Sequence, residues 1–194
     1  MKIMEITVVE NTPHAVKLSL SGADTWYVNA LRRACMNSVK CFAIGSVTLY
    51  ENTSSMFDEY LAHRLGLVPI LSPDGYGDKD EILFTAEVEG PATFYSRDLK
   101  SKEKDVAVAN GNIPIIKLAE GQKVRLDCKA VLGNSTNGAK FQPAYAAYKE
   151  LGGKEKGYEL YVESFGQMSA SEVLKKALES MKKDMKVIYK DVKK

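Results

Sequence analysis

Residue types that often mark catalytic or metal chemistry are scarce in this chain of 194 residues, which has three cysteines, two histidines and one tryptophan. Cys35, Cys41 and Cys128 form neither a CxxC pair nor an even framework, so we expect reduced, buried thiols in an intracellular protein. Two histidines provide no persuasive Ser/His/Asp or Cys/His set for nucleophilic catalysis. A hydrolase or a disulfide-stapled secreted domain is therefore disfavoured.

Long apolar runs are also missing, because none approaches the roughly 20 residues that a membrane span requires. The opening segment, MKIMEITVVE, carries glutamates early and alternates apolar with polar residues, which predicts a strand rather than a signal peptide. A net charge of +2 leaves no global nucleic-acid footprint. With 45% hydrophobic and 27% charged residues, we expect a soluble cytoplasmic protein with one good core or two modest ones.

The order of predicted elements indicates an α+β fold rather than a βαβ series. Two alternating segments, 2–9 and 14–21, predict a hairpin, and Asp24 is a plausible N-cap for a helix that runs to about Ser38. A second, shorter helix is predicted at 56–65 and a long one from Ser169 onward. Strands are expected at 41–50, 81–88, 92–96, 113–118, 122–132 and 157–165.

Both long helices lie toward the chain ends, and a strand-rich middle separates them. This arrangement predicts a sheet-and-helix domain built from residues 1–45 and 157–194, with a β-rich domain inserted at 46–156.

The segment Phe57 to Pro69, FDEYLAHRLGLVP, predicts a short capped helix. Ser55 and Asp58 stand three apart, as in a capping box, and Gly66 could take a left-handed stop before Pro69. Helical spacing predicts an apolar stripe of Tyr60, Leu61 and Leu65.

Four polar residues, Asp58, Glu59, His63 and Arg64, crowd into two turns of this helix beyond what the helix needs. Glu59 and His63 are four apart, but zinc would need a third good ligand and the HExxH order is absent. A charged contact surface or local salt bridges explain the cluster more simply.

The last helix begins with a capping box of Ser169 and Glu172 and then carries a heptad seam. A narrow seam suits a single neighbouring helix, which is either the 24–38 helix of the same chain or, in addition, a helix of another chain. The flanking lysines either solubilise the helix or bind nucleic acid. The seam consists of Leu174, Leu178, Met181, Met185, Ile188 and Val192.

Several segments together resemble one family, the alpha-type subunits of cellular RNA polymerases, in the form found in archaea. The resemblance covers most of the chain in the family's order. It is carried by Asn29–Arg33 (NALRR), Tyr50–Ser54 (YENTS), Phe57–Pro69, Gly138–Pro143 (GAKFQP) and Tyr158–Gly166 (YELYVESFG).

The resemblance implies a non-catalytic assembly subunit in the short form of the family. It implies a heterodimer with the smaller alpha-like subunit L, a platform that also holds small subunits N and P, and recruitment of the large catalytic subunits. On the predicted helix at 24–38, Arg32 and Arg33 lie off the apolar stripe of Tyr27, Leu31 and Cys35. Arg33 shares a face with Asn29, Met36 and Asn37, which suits a polar interface.

Two departures from the family pattern matter. Gly138 stands where relatives usually carry a histidine before Ala139, so no role of that histidine is transferred. Some members insert a ferredoxin-like iron–sulfur domain, whereas Ala144 to Gly157 is a short connection without cysteine here. Since a cluster needs about four thiolates, we predict no iron–sulfur cluster and no other cofactor.

The alternative interpretation is a free-standing nucleic-acid-binding module that uses the lysine-rich last helix. It predicts DNA affinity that falls steeply with salt in the isolated chain.

Overall fold

The computed structural model describes residues 4–152 and 157–193. Its α-helices are α1 (Thr25–Asn37), α2 (Asp58–Gly66) and α3 (Ala170–Val192). Single 3-10 turns occur at Ser96–Asp98, Ser135–Asn137 and Ala139–Phe141. The strands are β1 (Glu5–Asn11), β2 (Ala15–Ser21), β3 (Cys41–Asn52), β4 (Glu81–Glu89), β5 (Ala92–Tyr95), β6 (Lys100–Ser101), β7 (Pro114–Leu118), β8 (Lys123–Gly133), β9 (Ala144–Leu151) and β10 (Gly157–Ser164).

The chain divides into two compact units. The terminal unit draws on the segments Met1–Lys40 and Asn134–Lys194, and the inserted unit is Cys41–Gly133. All strand pairs are antiparallel within the described residues, and helices and strands are mixed in both units, as the α+β prediction requires.

The terminal unit is built on a four-stranded sheet in the order β1-β2-β10-β9. Alternation along β2 puts Val16, Leu18 and Leu20 on one buried face, because successive side chains point to opposite sides of a sheet. On that inner face α1 packs against β9 and β10, and α3 packs against β10 and β2. The sheet therefore places both helices side by side on one surface.

Strand β1 extends the inner face of this sheet beyond its buried part. Ile6 pairs with Leu20 and Val8 pairs with Leu18, so each pair shares the inner face. Leu18 and Leu20 are buried, whereas Ile6 and Val8 are both more than half exposed. Apolar sheet surface is thus left open beside the helices.

The inserted unit contains a second sheet, in the order β3-β8-β4-β6, and a separate β5-β7 ribbon. Its core is filled by alternating apolar residues of β4 and β8 together with Phe42, Phe94, Leu61 and Leu65. Helix α2 packs against β3 and β7 through these two leucines.

The observed unit boundaries differ from the predicted domain limits of 45/46 and 156/157. The segment after Ala144, for which the sequence predicts a short connection, forms strand β9 and pairs with β10 from Ala144–Ser164 to Leu151–Gly157. Because β9 belongs to the terminal sheet, the inserted unit closes at Gly133, earlier than the sequence pattern indicates.

The short helix also begins and ends differently from the prediction. The N-cap of α2 is Phe57 rather than Ser55, and the predicted capping box does not form. Gly66 lies inside the helix, which closes at Leu67 in the right-handed conformation, so the predicted left-handed stop is wrong. The turn before α2 is organised instead by Asn52, whose side-chain oxygen accepts hydrogen bonds from Ser54.

Candidate subunit interface

Helix α3 packs on its own unit through a row of small residues near its beginning. Ser169 is the N-cap, and its hydroxyl accepts a hydrogen bond from the amide of Glu172 at 3.3 Å, which is one half of the predicted capping box. The buried residues of this helix are Ala170, Val173 and Ala177. They lie on the flank of the predicted heptad seam and not on the seam itself.

The heptad seam of α3 is largely open to solvent. Leu174 and Met181 are half-buried, and Leu178 is exposed. Met185 and Ile188 are 59% and 58% exposed, and every residue from 182 to 193 is exposed. About half of a helix roughly 35 Å long therefore leaves its apolar side largely exposed to solvent.

A shallow groove of about 410 Å³ runs between α1 and the second half of α3, within the terminal unit. Its α3 wall carries Met181, Met185 and Ile188, which alternate with the carboxylate of Asp184. Its α1 wall is formed by small or polar residues together with a guanidinium, namely Ala30, Ala34, Asn37, Ser38 and Arg33. Apolar side chains combined with polar ones are typical of a protein-binding surface.

The two arginines of α1 have different surroundings. Arg32 donates from Nε and Nη2 to the Asn29 side-chain oxygen at 3.2 and 3.0 Å, and its Nη1 lies 3.4 Å from the Met36 sulfur. Asn29 and Met36 are therefore contacted by Arg32 and not by Arg33. They lie one helical turn before and one turn after Arg32, within reach of its guanidinium. Arg33 is exposed and faces the groove.

Two residues of the α2 polar cluster are engaged within the inserted unit. Arg64 donates from Nε to the carbonyl oxygen of Ile115 and from Nη2 to that of Pro114, both at 2.8 Å. Asp58 accepts a hydrogen bond of 2.7 Å from the Asn52 amide. The structure therefore gives these two side chains local structural contacts that sequence spacing does not reveal.

The outer surface of α2 is both charged and apolar. Glu59 and His63 are exposed, and so is Tyr60, which the sequence pattern places on the buried stripe with Leu61 and Leu65. An apolar row outside the core remains, made of Phe57, Tyr60 and Leu67. This row is not among the predicted site residues, although its spacing of three and seven residues is a helical signal.

All three cysteines are buried. Burial raises the pKa of Cys35 and that of Cys128 to about 12 each, because a thiolate is poorly solvated inside the core. Within residues 4–152 and 157–193 no three His, Cys, Asp or Glu side chains are arranged to hold a metal ion. In the same part of the chain, no helix combines the length and apolar content needed to cross a membrane.

Comparison with known proteins places the chain in a family. The family model described as the RNA polymerase Rpb3/RpoA insert domain matches residues 47–147. A relative from Methanocaldococcus jannaschii, named DNA-directed RNA polymerase subunit Rpo3, is 47% identical over 156 residues, which cover 80% of this chain and 79% of the relative. The chain belongs to the Rpo3 family of archaeal RNA polymerase subunits.

Other Rpo3 proteins are longer than the matched region. The one from Thermococcus kodakarensis is 40% identical over 156 residues, or 77% of this chain and 60% of the relative. The one from Pyrococcus furiosus is 39% identical over 153 residues, or 75% and 59%. The match thus spans about three fifths of these two proteins.

Family membership confirms the resemblance inferred from the motifs and the assignment to transcription. The family model begins in β3 and ends in β9, so it covers the inserted unit and reaches into the terminal sheet. A polymerase subunit is a component of a larger assembly, which favours this interpretation over the free-standing nucleic-acid-binding module. A subunit of an assembly also needs surfaces that contact its neighbours, and the exposed seam of α3 is a candidate for such a surface.

Proposed function

We propose that this chain is a non-catalytic assembly subunit that pairs with the smaller alpha-like subunit L through α1 and α3. The observation that carries the proposal is the exposed seam of α3, with Met185 and Ile188 more than half exposed. A helix of this length without a covered apolar side gains little stability by itself in water. A second polypeptide that covers the seam would supply the missing burial.

The groove between α1 and α3 supports a helix as the contacting element. Its α3 wall carries the narrow seam, which suits one helix, and the open face of β1 adds Ile6 and Val8 to the apolar surface of the same unit. A stable pair of subunits buries about 1,600 Å² or more in total. We expect Leu178, Met181 and Met185 to be hot spots, each costing about 1–3 kcal/mol of binding free energy on truncation.

The large catalytic subunits would bind at other surfaces of the chain. Arg33 remains a candidate because it is exposed and its guanidinium can bind a carboxylate or a carbonyl. Arg32 contributes to such a surface by holding Asn29. On the inserted unit, Glu59 and His63 lie beside the apolar row of Phe57, Tyr60 and Leu67, a combination typical of a contact surface.

The chain has no catalytic site of its own, contacts DNA only through the complex, and works in the cytoplasm without membrane attachment, beside small subunits N and P. It carries no iron–sulfur cluster: there are three cysteines in the sequence, and Cys41 pairs with Gly133, five residues along β8 from Cys128. That separation is roughly 16 Å, too far for two ligands of one cluster.

The test is co-purification of the full chain with subunit L of the same organism after co-expression. The double variant Met181→Asp/Met185→Asp should lose the complex, since two carboxylates would be buried at the centre of the seam. The matched control is Val187→Asp, which places one charge on the same stretch of helix. Val187 is 53% exposed but lies about 160° around the helix from Met185.

Met185→Asp alone allows the direct comparison with Val187→Asp. The first should weaken the complex and the second should leave it intact, while both chains remain folded by circular dichroism. Equal retention of subunit L by the double variant and the control would refute the seam as the contact.

A further inference from the structure

The charges of α3 are sorted by side along its exposed half. Taking 100° per residue, Lys182, Lys186 and Lys193 fall roughly 80–120° around the helix on one side of the seam. Lys175 in the first half lies at the same angle, and Glu179 lies about 40° beyond it, farther from the seam. On the other side the charged residues nearest the seam are Asp184 and Asp191. A helix face that serves only for solubility mixes both signs, so the segregation calls for another explanation.

The aspartate side of α3 is the side turned toward its own unit. The buried residues Ala170, Val173 and Ala177 lie on that side, and further along Asp184 lines the groove opposite Arg33 of α1. The opposite edge of the seam is a row of exposed lysines. Any helix that covers the seam must therefore meet the lysine row along its free edge.

We propose that the occupant of the seam is a helix of a different polypeptide that carries a row of carboxylates along the edge facing Lys175, Lys182 and Lys186. The inference rests on the proposed function and adds the chemistry of the partner. Residues that flank a helical seam set partner choice through charge complementarity. Subunit L is expected to present such an acidic edge.

A second copy of this chain would not place carboxylates opposite the lysine row. In an antiparallel two-fold pair like flanks face each other, so lysines meet lysines and aspartates meet aspartates. In a parallel pair, heptad geometry sets Lys182 against Ala177 and Asp184 against Tyr189, and no opposite charges meet. The seam is thus apolar enough to associate, yet its flank favours a different partner over itself.

The experiment compares two charge reversals of equal size on the same helix. Lys175→Glu/Lys182→Glu changes the row beside the seam, and Lys183→Glu/Lys190→Glu changes lysines on the far side of the helix. Binding of the full chain to purified subunit L is followed by surface plasmon resonance at about 50 mM and about 500 mM salt. The seam-side reversal should weaken binding about tenfold or more at low salt and remove most of the salt dependence, whereas the far-side reversal should change affinity about twofold or less.

Four results would overturn the inference. Equal losses of affinity in both variants would mean a diffuse electrostatic attraction of the kind that a nucleic acid gives. Unchanged affinity of both variants would mean that the lysine row does not lie at the contact. In either case the wild-type chain still binds subunit L, so the proposed pairing survives. Failure of the wild-type chain to bind subunit L would refute both, and self-association through α3 as tight as binding to subunit L would refute the selectivity.

Discussion

The Nε atom of Arg64 lies 2.8 Å from the carbonyl oxygen of Ile115, so a side chain of α2 holds the backbone of β7. A second bond of equal length joins Nη2 to the carbonyl oxygen of Pro114. These bonds fix the helix that carries Glu59 and His63 to the core of the inserted unit. The polar surface of α2 is consequently presented on a braced element and not on a loose loop.

Replacing Arg64 with alanine should lower the free energy of unfolding of the inserted unit by about 1–3 kcal/mol, because two strand carbonyls lose their charged donor. Urea unfolding monitored by circular dichroism measures the change. His63→Ala, one residue away on the exposed side, should alter stability by less than about 0.5 kcal/mol. An Arg64→Ala chain as stable as the His63→Ala chain would contradict the bracing role.

Gly90→Ala should destabilise the inserted unit. A Cβ at this position would lie 1.9 Å from the carbonyl oxygen of Ala119, and backbone cannot give way as a flexible side chain can. We expect a loss of about 1–3 kcal/mol in unfolding free energy by thermal or urea denaturation. Gly77→Ala is the control, since the nearest atom to its Cβ is an Asp80 carboxylate oxygen at an ordinary 3.8 Å.

Alkaline pH should destabilise the protein through its buried thiols. The pKa of Cys35 and that of Cys128 are raised from 9.0 to about 12 by burial, so the unfolded chain ionises first. Stability from the two protonated thiols is fully present below pH 9 and is lost as the pH rises toward 12, by up to about 4 kcal/mol per thiol. The double variant Cys35→Ala/Cys128→Ala should show a shallower alkaline decline in unfolding free energy; identical slopes would contradict the assignment.

Removing the chain after Ser180 should separate folding from assembly. The truncated helix keeps Ala170, Val173 and Ala177, the residues buried against the terminal unit. Of the removed residues, 182–193 are exposed and Met181 is half-buried. We expect the unfolding free energy to change by less than about 1 kcal/mol, while subunit L no longer co-purifies. Collapse of the fold on truncation would show that the exposed half stabilises its own unit.

Periodicity predicted the parts of this structure whose signal is local. The seam of α3 could be predicted because apolar residues recur at alternating intervals of four and three over several turns. The hairpin of β1 and β2 could be predicted because two segments of alternating hydrophobicity flank a turn signal. Strand β9 escaped prediction because its sequence, AYAAYKEL, is rich in alanine and has little strand preference. Its conformation is imposed by β10, which pairs along its whole length.

The residues of the candidate interface were predictable as types, but their contacts within the chain were not. Arg64 could be predicted as a polar residue on a helix surface, yet its acceptors are some fifty residues away in sequence and no spacing rule finds them. The same limit applies to Asn29. Helical spacing placed Arg33 on its face, whereas Arg32 donates the hydrogen bonds to its side-chain oxygen. The prediction for Tyr60 is wrong because a nine-residue helix gives little phase information.

The pairing of Cys41 with Gly133 has a consequence for synthesis of the chain. The inserted unit starts and finishes at neighbouring strand ends, so it can fold as soon as it leaves the ribosome. The terminal sheet, by contrast, cannot form until β10 has been synthesised, because Leu18 of β2 pairs with Leu160 of β10. Helix α3 follows both sheets in the sequence. A partner that recognises this helix therefore binds only chains in which the strands of both units have already been synthesised.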